Sequence, residues 1–225
     1  MDEKYYKELV CGQHKEEFEK LYEMLIQYNK MYNLTSITQK EDVFNKHFLD
    51  SVVGEGYFEK NAAVCEIGSG GGFPSLPLKI VRKDLSFTLI ESTGKKCSYL
   101  QAVVDNFNFE GVKVMNIRAE EGARDKLLRE KFDAAVARAV ARLNTLCEYC
   151  LPFVKVGGVF VAYKGDCGEE VAEAENAVKI LGGRIKKVDK FELYGERRSL
   201  VVIEKVAPTP PKYPRGRGLE RKKPL

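Results

Sequence analysis

Apolar side chains fall at positions 18, 21, 22, 25, 28 and 32, the spacing of one face of a helix over Phe18–Tyr32. A second short helix is expected over Lys40–Leu49, with Val43, Phe44, His47 and Phe48 near one face. From residue 62 the pattern changes. Short apolar runs at 63–67, 87–90, 112–117, 132–137 and 159–163 read as strands, each followed by a helical stretch. Those helices begin at Pro74, span Lys95–Phe107, start near Glu120, and cover Leu143–Leu151 and Glu169–Leu181. Two strands, 184–192 and 199–205, follow with only a turn between them.

Alternating β and α predicts a parallel sheet covered by helices on both faces. The closing hairpin requires one of its strands to run antiparallel. The fold expected is therefore α/β, a Rossmann-like, mostly parallel seven-stranded sheet with an antiparallel C-terminal hairpin and an N-terminal helical cap. This is the architecture of class I methyltransferases and not of the usual NAD domain. The boundaries read as a cap over 1–60, the sheet domain over 61–207 and a tail over 208–225.

Charge sharpens the picture only at the end. Lys and Arg number 37 against 33 Asp and Glu, a net charge of +4, which excludes a polyelectrolyte. Within 208–225, six basic residues face one acid, and five of the chain's eight prolines lie there. This segment reads as an extended basic arm without a helix, suited to phosphate. A strap packed onto the sheet through Tyr213 and Pro214 is the alternative. No apolar run reaches membrane-spanning length, and the polar start lacks a signal sequence, so a cytoplasmic protein is expected. Six cysteines include one pair, Cys147 and Cys150, whose spacing sets both on one helical face. With no second pair, they read as buried packing residues and no metal site is expected.

The stretch Glu66-Ile67-Gly68-Ser69-Gly70-Gly71-Gly72-Phe73-Pro74 carries the chemistry. Glycines after a strand let the backbone turn sharply and approach a ligand. A dinucleotide loop needs glycine at its sixth position, where Phe73 stands. Glu66 would repel a pyrophosphate and suits a cationic amino group such as that of S-adenosyl-L-methionine. Glu91, 23 residues beyond Gly68 at the end of the second strand, can accept the hydroxyls of a ribose. The Arg118–Glu121 turn ends the third strand, beside the expected adenine. Arg138 sits at the carboxyl end of the fourth strand, within an alanine- and valine-rich run, where ligands bind in such sheets.

Several segments together resemble the RsmG (GidB) family. They are Asn33-Leu34-Thr35-Ser36, His47-Phe48-Leu49-Asp50-Ser51, the glycine loop through Leu78, Glu91-Ser92-Thr93-Gly94-Lys95-Lys96, Arg118-Ala119-Glu120-Glu121, Ala137-Arg138-Ala139 and Lys212-Tyr213-Pro214-Arg215. The resemblance implies methylation of N7 of a guanine in the decoding-region loop of 16S ribosomal RNA. The substrate would be that RNA, the small ribosomal subunit or its assembly intermediate; a monomer is expected. Gly68, Phe73, Ala119, Glu120 and Arg138 match the family's cofactor contacts, beside Glu66, Gly70 and Glu91. Glu66 and Glu91 stand where relatives often carry Asp. Direct attack by N7 needs no general base, so no catalytic side chain is assigned. Asn33, His47, Lys164, Arg197, Arg198, Lys212 and Arg215 are the candidates for RNA contact. Two other classes stay open. A small-molecule methyltransferase is disfavoured by the basic tail and the lack of a large lid. A non-enzymatic RNA-binding module is disfavoured by the intact glycine loop with its two acids.

Overall fold

A computed structural model describes residues 2–225. The strands are β1 (Ala63–Ile67), β2 (Ser86–Glu91), β3 (Val112–Asn116), β4 (Phe132–Arg138), β5 (Val154–Lys164), β6 (Gly183–Leu193) and β7 (Glu196–Lys205). They form one sheet in the order β3-β2-β1-β4-β5-β7-β6. All neighbours pair in parallel except β7, which is antiparallel to both β5 and β6. The order reverses beside β1, which places β1 and β4 at the topological switch point, where open α/β sheets bind their ligands.

Helices α1 (Glu3–Glu8) and α2 (Lys15–Tyr32) precede the sheet, followed by a continuous helical stretch through α3 (Lys40–Val43) and α4 (Asp50–Val52). The residues between α3 and α4, Phe44–Leu49, wind as a wider π-type turn. Helices α5 (Ser75–Val81), α6 (Gly94–Asn106), α7 (Ala119–Gly122), α8 (Leu143–Cys150) and α9 (Gly168–Ile180) alternate with the strands. The alternation expected from the apolar runs is what forms, with β5 beginning five residues earlier than its apolar run. Helix α1 and the turn after it were not signalled by the apolar pattern.

Each face of the sheet carries its own core. On one, Phe18, Leu21, Phe48 and Val52 of the cap pack with Val64, Leu76, Tyr99 and Val136. On the other, α8 and α9 cover Cys65, Ala135, Phe160 and Ile203. The cap therefore shares a core with the sheet. Cys147 and Cys150 are fully buried, and burial pushes both thiols above their ordinary range, the expected behaviour of packing residues.

The tail departs from the expected arm. Thr209, Tyr213, Pro214 and Glu220 are buried, and Leu219–Lys222 forms a short helix, α10. Between Pro214 and Pro224 no proline intervenes, so one helical turn fits there. The strap alternative is the one that matches the packing, because the body supplies partners for the tail's backbone. Arg129 donates to the carbonyls of Thr209 and Tyr213, and Arg124 to those of Pro214 and Arg215.

Candidate functional site

Two clefts open at the carboxyl ends of the strands, with the Arg138–Val140 turn between them. A larger cavity of about 620 Å³ lies at the opposite end of the sheet, where α5 and α6 finish, away from the glycine loop.

The first cleft, of about 310 Å³, is lined by Gly68, Ser92, Ala119, Glu120, Val140 and Tyr149, with Gly218 and Arg221 from the tail. Its floor is the loop after β1. Gly68 and Ser69 both donate their N–H groups to the Ile90 carbonyl, which ties the loop to the end of β2. Gly72 has a φ of +82°, and a Cβ there would lie 2.2 Å from Leu76 Cδ1, so glycine is required for the loop to enter α5. Glu91 accepts the Gly70 N–H at 3.0 Å on one carboxylate oxygen and the Thr93 N–H at 2.8 Å on the other. A carboxylate has about four acceptor sites, so roughly one remains on each oxygen. Glu66 is 1% exposed, and neither of its oxygens has a hydrogen-bond partner. Burial pushes its pKa up to about 8, with Ser75 and Arg138 opposing the rise.

The second cleft, of about 510 Å³, lies between the cap and the ends of β4, β5 and β7. Here every charge is partnered. Asp50 accepts from Arg138 at 2.8 Å and from Arg198 at 3.1 Å. Arg138 also donates to the Lys46 carbonyl and to His47 Nδ1, and its guanidinium lies over the Phe73 ring. Nδ1 of His47 lies 3.0 Å from the Arg138 guanidinium, which only donates, and 3.2 Å from the Lys46 carbonyl, which only accepts; the closer arginine makes Nδ1 the acceptor, and Nε2–H then points to Thr35 Oγ1, 2.8 Å away. Burial, aided by Arg138, lowers the His47 pKa to about 4, so the ring is neutral at pH 7.

The residues singled out from sequence are thus dispersed. Gly68, Ala119 and Glu120 line the first cleft, Glu91 fixes the glycine loop through the Gly70 N–H, and Glu66 lies buried at the end of β1 near Ser75 and Arg138. Phe73 is buried against His47 and Phe48, and its ring also lies against Gly71, so it joins the cap to the glycine loop. The guanidinium of Arg138 belongs to the second cleft. His47 and Asp50, three residues apart, are joined through Arg138 and not to each other. Among the proposed RNA contacts, Asn33 is exposed and caps α2 in a left-handed conformation. Arg197 and Lys212 are also exposed, and Arg198 holds Asp50, Glu196 and the Tyr194 hydroxyl. Lys164 is spent on the Ala141 carbonyl and Glu170. Arg215 does not fit an RNA contact, because its guanidinium and N–H both bind Glu148, whose side chain is 1% exposed. Tyr149, Gly218 and Arg221 escaped the sequence reading, since nothing in their spacing relates α8 to the tail.

A sheet in this order, with an antiparallel β7, a glycine loop after β1 and a carboxylate closing β2, defines a class I methyltransferase fold. A SAM dependent methyltransferase from Aquifex aeolicus has the same fold, with a TM-score of 0.55 at 15% identity over 80% of this chain and 97% of that one. A family model described as rRNA small subunit methyltransferase G matches residues 14–201. Two proteins named Ribosomal RNA small subunit methyltransferase G are similar along most of their length. The one from Brevibacillus brevis is 47% identical over 94% of this chain and 91% of its own. The one from Lactobacillus johnsonii is 43% identical over 94% and 91%. The chain belongs to the rRNA small subunit methyltransferase G family.

Proposed function

We propose that the protein transfers a methyl group from S-adenosyl-L-methionine to N7 of a guanine in the decoding-region loop of 16S ribosomal RNA. One observation carries the cofactor: the unpartnered, buried Glu66 beneath the glycine loop, beside a Glu91 that keeps acceptor sites free. The residues fit such a group. Glu66 suits an ammonium, Glu91 a pair of ribose hydroxyls, and the turn at Ala119 and Glu120 the adenine side. Bound S-adenosyl-L-methionine supplies an electrophilic sulfonium methyl, which a guanine N7 lone pair takes up without first losing a proton.

The chain then needs no general base. Its residues orient the base and keep water out, and such positioning lowers a barrier by about 7–11 kcal/mol in favourable cases. The second cleft has the volume for a nucleobase. His47 is neutral, and the arginines of this cleft are offset by Asp50 and Glu196, so little net positive charge stands where charge would move onto the base, which supports this assignment. Arg138 holds Asp50, the Lys46 carbonyl and His47 in one arrangement and acts as a positioning residue. Arg197, exposed beside Arg198, and the exposed Lys212 are the basic residues most available to phosphates, whereas Lys46 and Arg198 in the second cleft are paired with Asp42 and Asp50.

The test is transfer of labelled methyl groups to small subunits, and separately to naked RNA, from a strain lacking this activity, followed by nucleoside analysis. Label in 7-methylguanosine is the expected result. Label in cytosine or adenine would exclude the N7 chemistry, and no label in either RNA would exclude the ribosomal substrate.

A further inference from the structure

The first cleft is not closed by the sheet domain alone. Beyond the residues 14–201 that the family model matches, Gly218 and Arg221 line the cleft with Tyr149. The strap is held there by groups that have no other evident task. Glu148, in the interior of α8, receives the Arg215 N–H at 2.7 Å and the guanidinium at 2.7 Å. Thr145, one turn earlier, donates to the Glu220 carbonyl at 2.9 Å. Glu220 is itself fully buried, with one oxygen on the Gly216 N–H. Arg124, just past the Ala119–Gly122 turn, reaches the Pro214 and Arg215 carbonyls. The strap thus ties together two walls of the same cleft, the turn after β3 and helix α8.

We infer that the C-terminal strap is part of the cofactor site: Arg221 forms the outer wall of the adenosine end, and the Arg215–Glu148 pair positions it. This rests on the cofactor reading above. The chemistry is suitable. The adenosine end of the cofactor is uncharged, so a cation beside it is not opposed, and a guanidinium is attracted to the face of an aromatic ring. Arg221 is exposed, and it already neighbours the Tyr149 phenol, whose pKa is raised by burial and lowered by this arginine. No role in folding is needed to explain its placement.

Calorimetry on the full chain with S-adenosylhomocysteine and with 5′-methylthioadenosine tests the inference, alongside ligand-free melting. Arg221→Ala should leave the melting temperature unchanged and weaken both ligands by the same factor, roughly threefold to fivefold. Equal loss for both ligands locates the effect at the end they share. Glu148→Gln should weaken both ligands as well, through release of Arg215, and should also lower the melting temperature. A chain ending at Gly218 keeps the Arg215–Glu148 anchor and should bind like Arg221→Ala or worse. Wild-type affinity for both ligands in Arg221→Ala and in the shortened chain would overturn the inference while the cofactor reading stood. If the wild-type protein bound neither ligand, the cofactor reading would fall, and this one with it.

Discussion

Glu66 and Asp50 are both buried carboxyls near the carboxyl ends of the same strands, at 1% and 7% exposure. Asp50 is held by two arginines from distant segments, Arg138 and Arg198. Neither oxygen of Glu66 has a hydrogen-bond partner, though the nearby Ser75 and Arg138 favour its charged form. Around Asp50, the cap, β4 and β7 are locked into one arrangement by charge-assisted hydrogen bonds, which are the stronger kind. Around Glu66 the protein tolerates a polar group that burial drives toward its neutral form. A partnered carboxyl explains itself through structure. An orphaned one lowers stability, and its presence at a glycine loop is accounted for by a cationic group it would meet. The two carboxyls therefore differ in kind: one is fixed by charged partners within the protein, the other keeps its acceptor sites unused.

The comparison is broken most forcefully at Asp50. Asp50→Ala removes the shared partner of two arginines whose side chains are only 13% and 18% exposed. Losing one member of a buried ion pair costs about 3–5 kcal/mol, and the partial exposure here places the expected loss at about 3 kcal/mol. Urea unfolding should show it. An unchanged midpoint would mean that Asp50 does not hold the junction.

Next in size is Gly68→Leu. Gly68 has a φ of +70° and opens onto the first cleft, so the substitution adds backbone strain and fills ligand space. Cofactor affinity should fall by roughly 100-fold, equivalent to about 2.7 kcal/mol. Calorimetry checks this, and wild-type affinity would remove the glycine loop from the site.

Glu66→Gln should act more gently, because a buried amide replaces a carboxyl that is already largely neutral at pH 7. The sign follows from the raised pKa. The folded protein holds the Glu66 proton up to about pH 8, and the unfolded chain releases it near its ordinary value of 4.5. The stabilising contribution is full below pH 4.5 and is lost as pH rises toward 8. Glutamine has no proton to lose, so the variant should gain melting temperature over wild type progressively from pH 5 to pH 9. Parallel melting curves across that range would show that Glu66 is not held neutral.

Much of this architecture was legible along the chain, because short β-rich runs alternating with helical stretches admit few arrangements. The glycine loop and Glu91 were legible too, since a strand, a turn and an acid at a fixed interval are all local. What escaped is non-local. Asp50 meets Arg198 across 148 positions, and Arg215 meets Glu148 across 67. No periodicity relates such residues. The same blindness made the tail look like a free basic arm, when its carbonyls are claimed by Arg124 and Arg129. Phe73 and Arg138 were legible as important but not as to which cleft they serve, because that depends on how the cap lies over β4.

The smallest effect is the sharpest test of which cations are free. Arg197 and Arg198 are adjacent on β7, so their side chains point to opposite sides. Arg198 is 18% exposed and bound to Asp50, whereas Arg197 is 82% exposed and touches only Asp166, itself well exposed, at 3.2 Å. An exposed pair of this kind contributes about 0–1 kcal/mol. Arg197→Ala should therefore leave the unfolding midpoint where it is. If Arg197 meets a phosphate, subunit affinity should weaken a few-fold, and the slope of log affinity against log salt should flatten by roughly 0.7–0.9. Arg198→Ala should behave in the opposite way, lowering stability because Asp50 keeps only one arginine. A salt slope that flattens for Arg198→Ala but not for Arg197→Ala would mean that the partnered arginine leaves Asp50 to meet RNA. The second cleft would then be the one that rearranges on binding.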